Sequence, residues 1–215
     1  VVGHSQGEIV AAYVAGGIGL EDAARIVAVR SKLVAAVAGT GGMVSVWLPA
    51  GPAGERLAAH PELSIAAVNG PGSTVVAGPA PSLDAFVEAC AADGVRVRRI
   101  AVDYASHSPQ MEALREDLLT ALAPVRPGAA RIPMWSTVDD AWVDTATMDA
   151  GYWWRNLRRP VLFEPAVRAL AADGYRFFVE VSAHPVLAVA VRDTLDEAEP
   201  GTGAAVVGTL RRGEG

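Results

Sequence analysis

The run Val1-Val2-Gly3-His4-Ser5-Gln6-Gly7 constrains this chain more than any other stretch, because few local shapes satisfy it. Two β-branched residues read as the end of a buried strand. Small residues at Gly3 and Gly7 bracket a turn predicted to be too tight for a Cβ at either position. A helix is predicted from Gly7 to Ala15, stopped by Gly16-Gly17. A strand that turns sharply into a helix belongs to an α/β fold, and Gly-x-Ser-x-Gly in that setting reads as a nucleophile elbow. It holds the Ser5 hydroxyl out at a helix N-terminus, where the Gln6 N–H can donate to an oxyanion with the helix dipole behind it. The competing reading is a plain glycine-rich turn.

The rest of the pattern agrees with α/β. A second helix is predicted over Glu21–Ala38, followed by the break Gly39-Thr40-Gly41-Gly42. Residues 43–102 then read strand Met43–Leu48, helix Pro52–His60, strands Leu63–Asn69 and Ser73–Gly78, helix Pro81–Asp93 and strand Val95–Val102. That order is the split βαβ of ferredoxin-like domains, here an inserted small subdomain over residues 41–103. Residues 1–40 and 104–215 form the large subdomain, with helices Ser108–Ala123, Met148–Leu157, Glu164–Asp173 and Val186–Leu195, and strands Ile132–Thr137, Phe177–Val181 and Val206–Leu210. Alternation of this kind implies a mostly parallel sheet covered on both faces. Opening on a strand end without an initiator methionine, the chain reads as a fragment, expected to be marginally stable and a poor enzyme by itself.

Charge and cysteine content bound the function. A formal charge of -6 gives no electrostatic support for nucleic acid or an anionic membrane. Cys90, the only cysteine, excludes an internal disulfide and reads as a small buried hydrophobe. No apolar run is long enough to span a bilayer, and nothing marks secretion, so the expected location is the cytoplasm.

A serine hydroxyl needs a base, and the candidates are His4, His60, His107 and His184. His4 adjoins Ser5 and should point elsewhere; His60 lies in a polar loop. His107 follows Asp103-Tyr104-Ala105-Ser106, where the small subdomain returns to the large one, and ranks ahead of His184, which precedes Pro185 after a buried strand. Arg30 is the sharper feature. It falls on the helical stripe of Ile26, Val27, Leu33, Val34 and Val37. A buried guanidinium needs a partner or a function: an internal salt bridge, a snorkelling head, or a bidentate fork for a substrate carboxylate.

Taken together, GHSQGE at Gly3–Glu8, Arg30, NGPGSTVVAG at Asn69–Gly78, YASHSPQME at Tyr104–Glu112 and YWWRNLRRPVLF at Tyr152–Phe163 resemble the acyltransferase domains of type I modular polyketide synthases. They are also similar to malonyl-CoA:acyl-carrier-protein transacylases. The resemblance implies a hydrolase-like α/β core with a ferredoxin-like small subdomain, Ser5 as nucleophile, His107 as base, Arg30 as carboxylate receptor and Gln6 as an oxyanion donor. It makes His184 structural, and orients His107 by a backbone carbonyl near Val161-Leu162. It implies ping-pong transfer of malonyl or methylmalonyl from CoA to the phosphopantetheine thiol of an acyl carrier protein, beside a ketosynthase, with no bound cofactor or metal. The family's upstream glycine-glutamine segment, source of a second oxyanion donor, has no counterpart in these residues. Tyr104 and Ser106 lie in YASH, the form usual in methylmalonyl-selective relatives, where malonyl-selective ones usually read HAFH. Rival readings are a serine hydrolase whose triad ends at His184 and a scaffold without activity.

Overall fold

A computed structural model describes every residue except Glu199, Thr202 and Gly215. Helices α1 (Gly7–Ala15) and α2 (Leu20–Ala35) follow the opening turn. Glu21 and Asp22 in the first turn of α2 and Lys32 in its last complement the helix dipole. Its buried stripe is narrower than expected: Ile26, Arg30 and Val34 are buried, Leu33 and Val37 are half-buried, and Val27 is exposed.

The next stretch forms β1 (Gly42–Val46), α3 (Ala50–Leu57), β2 (Ser64–Gly70), β3 (Ser73–Gly78), α4 (Ala80–Ala92) and β4 (Val97–Arg99). The strands align in the order β4-β1-β3-β2, each antiparallel to its neighbours. Period-two alternation sorts the side chains. Val44, Val46 and Val76 pack on Ala53 of α3 and on Leu83, Phe86 and Cys90 of α4. Val75 and Ala77 point to the other face. This is the expected ferredoxin-like unit, with Cys90 buried in it as expected. The last strand is shorter than Val95–Val102, because Arg98 and Arg99 face solvent and Val102 folds back to donate to the Ile100 carbonyl.

Beyond it, the single helix expected over Ser108–Ala123 divides into a 3-10 turn at Pro109–Leu114 and α5 (Arg115–Leu122). Then come β5 (Trp135–Ser136), β6 (Ala141–Trp142), α6 (Ala150–Arg158), β7 (Val161–Leu162), α7 (Phe163–Ala172), β8 (Phe177–Glu180), α8 (Ala188–Ala198) and β9 (Ala205–Gly208). Parallel pairing holds β8 to β9, joins β7 to β2 as a fifth strand of the ferredoxin-like sheet, and links Val2 to Trp135 in a single bridge. Two features depart from the expected sheet. Asp140, at φ 51°, turns β5 back into an antiparallel hairpin with β6, stapled by Trp135 edge-on to Trp142. The β8–β9 pair forms a separate two-stranded sheet and is open on one side: Phe178 packs inward, but Phe177 is 81% and Val179 58% exposed.

Two apolar clusters meet at the opening turn. Ile9, Ile26, Leu118, Tyr152 and Leu157 knit α1, α2, α5 and α6 together. Ala67, Val75, Phe163, Val167 and Val191 seat the ferredoxin-like sheet on α7 and α8.

Candidate active site

Gly3 is required where it stands: a Cβ there would lie 2.3 Å from the Glu8 backbone nitrogen. Gly7 corrects the sequence reading, since a Cβ would meet nothing within 4 Å and its φ is not positive. The tight point of the turn is Ser5 itself, at φ 53° in the left-handed region that non-glycine residues rarely occupy. His107, at φ 58°, shares that backbone. Its loop is pinned on both sides. The His107 N–H donates to the Leu157 carbonyl at the end of α6 at 2.9 Å, and Ser108 Oγ donates to the Ala105 carbonyl at 2.6 Å.

The two residues meet. His107 Nδ1 is 2.8 Å from the Arg159 carbonyl oxygen, which only accepts, so Nδ1 carries the ring proton. Nε2 is then the free acceptor for the Ser5 hydroxyl, 2.7 Å away. Burial first, and the Arg30 cation second, push the His107 pKa down to about 3, against the pull of the Arg159 carbonyl. The imidazole is therefore neutral at pH 7 and able to take a proton. The orienting group is a backbone carbonyl as expected, that of Arg159, two residues before Val161-Leu162. α6 stops at Arg158, and Pro160 forces Arg159 into extended backbone, swinging its carbonyl out of the helix.

Arg30 is 4% exposed, and among the described residues no carboxylate lies within ion-pair distance of it. The internal salt bridge is thus not formed. Nη2 donates to Ser5 Oγ at 3.1 Å, Nη1 donates to Asn156 Oδ1 at 2.5 Å, and Nε is buried without a partner among the described residues. Burial pushes the guanidinium pKa down to about 10, which leaves it cationic at pH 7.

One cavity, about 180 Å³, is lined by His4, Ser5, Gln6, Arg30, Val34, Tyr104 and Ser106. That is room for a small acyl group, below the roughly 300–1,000 Å³ of drug-sized sites. Gln6 is exposed, and among the described residues its N–H has no acceptor. Ser106 is buried with its hydroxyl toward Met43 Sδ at 3.4 Å, and Tyr104 is half-buried against the helical cluster. His4 lines the same cavity but turns Nε2 to Asn69 Oδ1 at 2.7 Å, away from Ser5. His60 stands edge-on to Phe86 in the ferredoxin-like unit. His184 is exposed and contacts the Arg212 backbone, outside the site.

Two residues behind the site were not singled out from the sequence. Glu8, fully buried, accepts from Thr137 N at 2.6 Å, Thr137 Oγ1 at 2.8 Å, Tyr152 Oη at 2.9 Å and Asn156 Nδ2 at 2.7 Å. Burial pushes its carboxyl upward while those four donors favour the ionised form. Asn156 is 1% exposed. A polar residue on the apolar face of a helix, the signal that exposed Arg30, marks both. Among the described residues no group of three or more His, Cys, Asp or Glu side chains is arranged to hold a metal ion.

A serine hydroxyl bonded to a neutral, carbonyl-oriented histidine, on a tight turn into a helix of an α/β fold, is an arrangement suited to nucleophilic chemistry on an acyl carbon. The chain belongs to the acyl transferase domain family, whose model matches residues 1–215. It is 54% identical to polyketide synthase GfsE of Streptomyces halstedii and 54% identical to erythronolide synthase EryA3 of Saccharopolyspora erythraea, in both cases over all of this chain. It spans 6% and 7% of the length of those relatives. Among solved structures it is similar to the acyltransferase domain from module 8 of the salinomycin polyketide synthase, at 52% identity and a TM-score of 0.96 over 99% of this chain and 50% of that one. A second, the acyltransferase domain of SpnD in complex with 2-(pent-4-yn-1-yl)malonyl, has 30% identity and a TM-score of 0.89 over 100% of this chain and 51% of that one. The fold extends to malonyl CoA-acyl carrier protein transacylase of Coxiella burnetii, at 21% identity and a TM-score of 0.85 over 96% of this chain and 66% of that one.

Proposed function

We propose that this chain, with residues 1–40 and 104–215 as large and 41–103 as small subdomain, carries an extender acyl group from CoA to an acyl carrier protein through an ester on Ser5. Methylmalonyl is the preferred unit, and the setting is a polyketide synthase with a neighbouring ketosynthase. The observation that carries this reading is Ser5 Oγ, bracketed by His107 Nε2 at 2.7 Å and Arg30 Nη2 at 3.1 Å. In a malonyl thioester the free carboxylate is two bonds from the carbonyl under attack. A nucleophile and a buried cation a hydrogen bond apart match that spacing.

The reaction follows from these groups. Ser5 Oγ attacks the thioester carbon as its proton passes to His107 Nε2, and the oxygen that becomes negative accepts from the Gln6 N–H. Collapse expels the CoA sulfur, which takes the proton from His107. The phosphopantetheine thiol then gives its proton to His107 and attacks the Ser5 ester, and Ser5 leaves with the proton. Arg30 holds the carboxylate throughout, so an acyl group without one is held less well. The malonyl derivative described with the SpnD domain is an acyl group of this class.

The methylmalonyl preference rests on Tyr104 and Ser106. Ser106 is small and buried, with its hydroxyl drawn toward Met43, so this wall of the cavity has room for a branch methyl where a Phe would fill the space. One methyl in a pocket is worth about 1–3 kcal/mol. Tyr104→His with Ser106→Phe is expected to weaken methylmalonyl loading more than it improves malonyl loading. Equal amounts of the two CoA esters, competed and read as acyl mass on the carrier protein, check this; unchanged preference in the double variant contradicts it. Ser5→Ala is expected to abolish the acyl-enzyme and His107→Ala to slow it by orders of magnitude. Normal labelling of either removes the proposed chemistry.

A further inference from the structure

Asn156 of α6 is 1% exposed, and both ends of its amide are committed. Oδ1 accepts from Arg30 Nη1 at 2.5 Å; Nδ2 donates to Glu8 Oε2 at 2.7 Å and lies 3.2 Å from the Ser5 carbonyl oxygen. An amide has nearly the same shape when turned over, so its partners alone set its direction. Here Glu8 sets it. A carboxylate receiving four donors only accepts, so the NH2 of Asn156 must face it and the carbonyl must face Arg30. Reversed, the NH2 would oppose the guanidinium, donor against donor, and the carbonyl would oppose the carboxylate. One N–H of Arg30 Nη1 is thereby occupied, and what remains is the edge formed by Nη2 and by Nε, which among the described residues is buried with no partner. A planar guanidinium offers such an edge as a bidentate fork.

Resting on the reading of Arg30 as the carboxylate receptor, we propose that Asn156 is a positioning residue: keyed by Glu8, it turns the Nε–Nη2 edge of Arg30 to the extender carboxylate and ties it to the Ser5 elbow. The device couples acyl selectivity to a residue that need not touch the acyl group. It also makes Glu8, a full side chain away, a determinant of selectivity.

The test is a competition between methylmalonyl-CoA and propionyl-CoA, which differ by the carboxylate, in the full-length protein that carries this chain. Acyl mass on Ser5 is read, and the ratio is independent of how much protein is folded. Asn156→Ala frees Nη1. Glu8→Gln is the sharper variant. Its NH2 is accommodated only at the Oε2 end, where Tyr152 Oη can accept but the Thr137 N–H cannot, so the Asn156 amide is driven over. Both variants are expected to lower the methylmalonyl:propionyl ratio at least tenfold, with propionyl loading falling much less. Arg30→Ala, run alongside, lowers the same ratio. An unchanged ratio in both Asn156→Ala and Glu8→Gln, with the ratio lost in Arg30→Ala, overturns the positioning role and leaves the receptor reading standing. An unchanged ratio in Arg30→Ala overturns both. If Asn156→Ala loads nothing, Glu8→Gln decides; loss of all loading in both assigns the pair to folding alone and overturns the proposal.

Discussion

Ser5 and His107 hold left-handed backbone at about 1–3 kcal/mol each, and both are restrained from outside their own loops. Asn156 reaches the Ser5 carbonyl and the Leu157 carbonyl takes the His107 N–H, so α6 carries both restraints. Burial of a neutral His107 has a consequence for stability. Above pH 6.5 the ring is uncharged both folded and unfolded. Between 6.5 and about 3 the unfolded ring binds a proton that the folded ring refuses, so stability falls as pH falls. His4, shifted the same way by burial, adds to the slope. Urea unfolding followed by tryptophan fluorescence between pH 7 and 4 is expected to show this decline, with His107→Gln flattening it; identical slopes in the two proteins contradict a buried neutral base. Ser5, Arg30 and His107 were legible from local pattern: a serine in a glycine turn, a cation on an apolar stripe, a histidine just after the ferredoxin-like strand order ends. Asn156 and Glu8 share the pattern of Arg30. Both were hidden because a neutral amide and a carboxylate in a first helical turn look unremarkable until burial is known.

Among the elements, the turn that leads into α1 is where sequence and structure differ most usefully. Gly3→Ala would drive a Cβ to 2.3 Å from the Glu8 backbone and is expected to prevent a native elbow, whereas Gly7→Ala has open space and reduces the freedom of the unfolded chain. Gly7→Ala is expected to keep Ser5 acylation and to change stability by less than about 1 kcal/mol; thermal unfolding and acyl labelling check both variants, and equal damage from the two contradicts the geometry. Glu8→Ala strands the Thr137 N–H and leaves Tyr152 and Asn156 without their acceptor in the core. It is expected to destabilise by about 3 kcal/mol or more. The βαββαβ order was legible because strands of period two are separated there by two helical stretches of 8 and 13 residues and by a glycine-proline turn. β7 was not, since two residues carry no period, and the β5–β6 hairpin was not, since the conformation of Asp140 decides it.

At the scale of the molecule, β7 matters beyond its length. By pairing with β2 it fixes the ferredoxin-like sheet to the segment that follows Arg159, whose carbonyl orients His107. The open side of β8 is the other large-scale feature. Phe177, Val179 and Val181, at 81%, 58% and 83% exposed, form an apolar row on one face. Residues 1–215 expressed alone are expected to self-associate, and Phe177→Ser with Val179→Thr to reduce it; sedimentation velocity checks this, and a monomeric unmodified chain contradicts it. The central claim, that Ser5 receives an acyl group whose carboxylate Arg30 selects, is tested by peptide mass mapping. The full-length protein is mixed with equal amounts of malonyl-, methylmalonyl- and propionyl-CoA, with no carrier protein present. The Ser5 peptide is expected to carry mainly methylmalonyl, then malonyl, with little propionyl. An unmodified Ser5, or one carrying mainly propionyl, contradicts it.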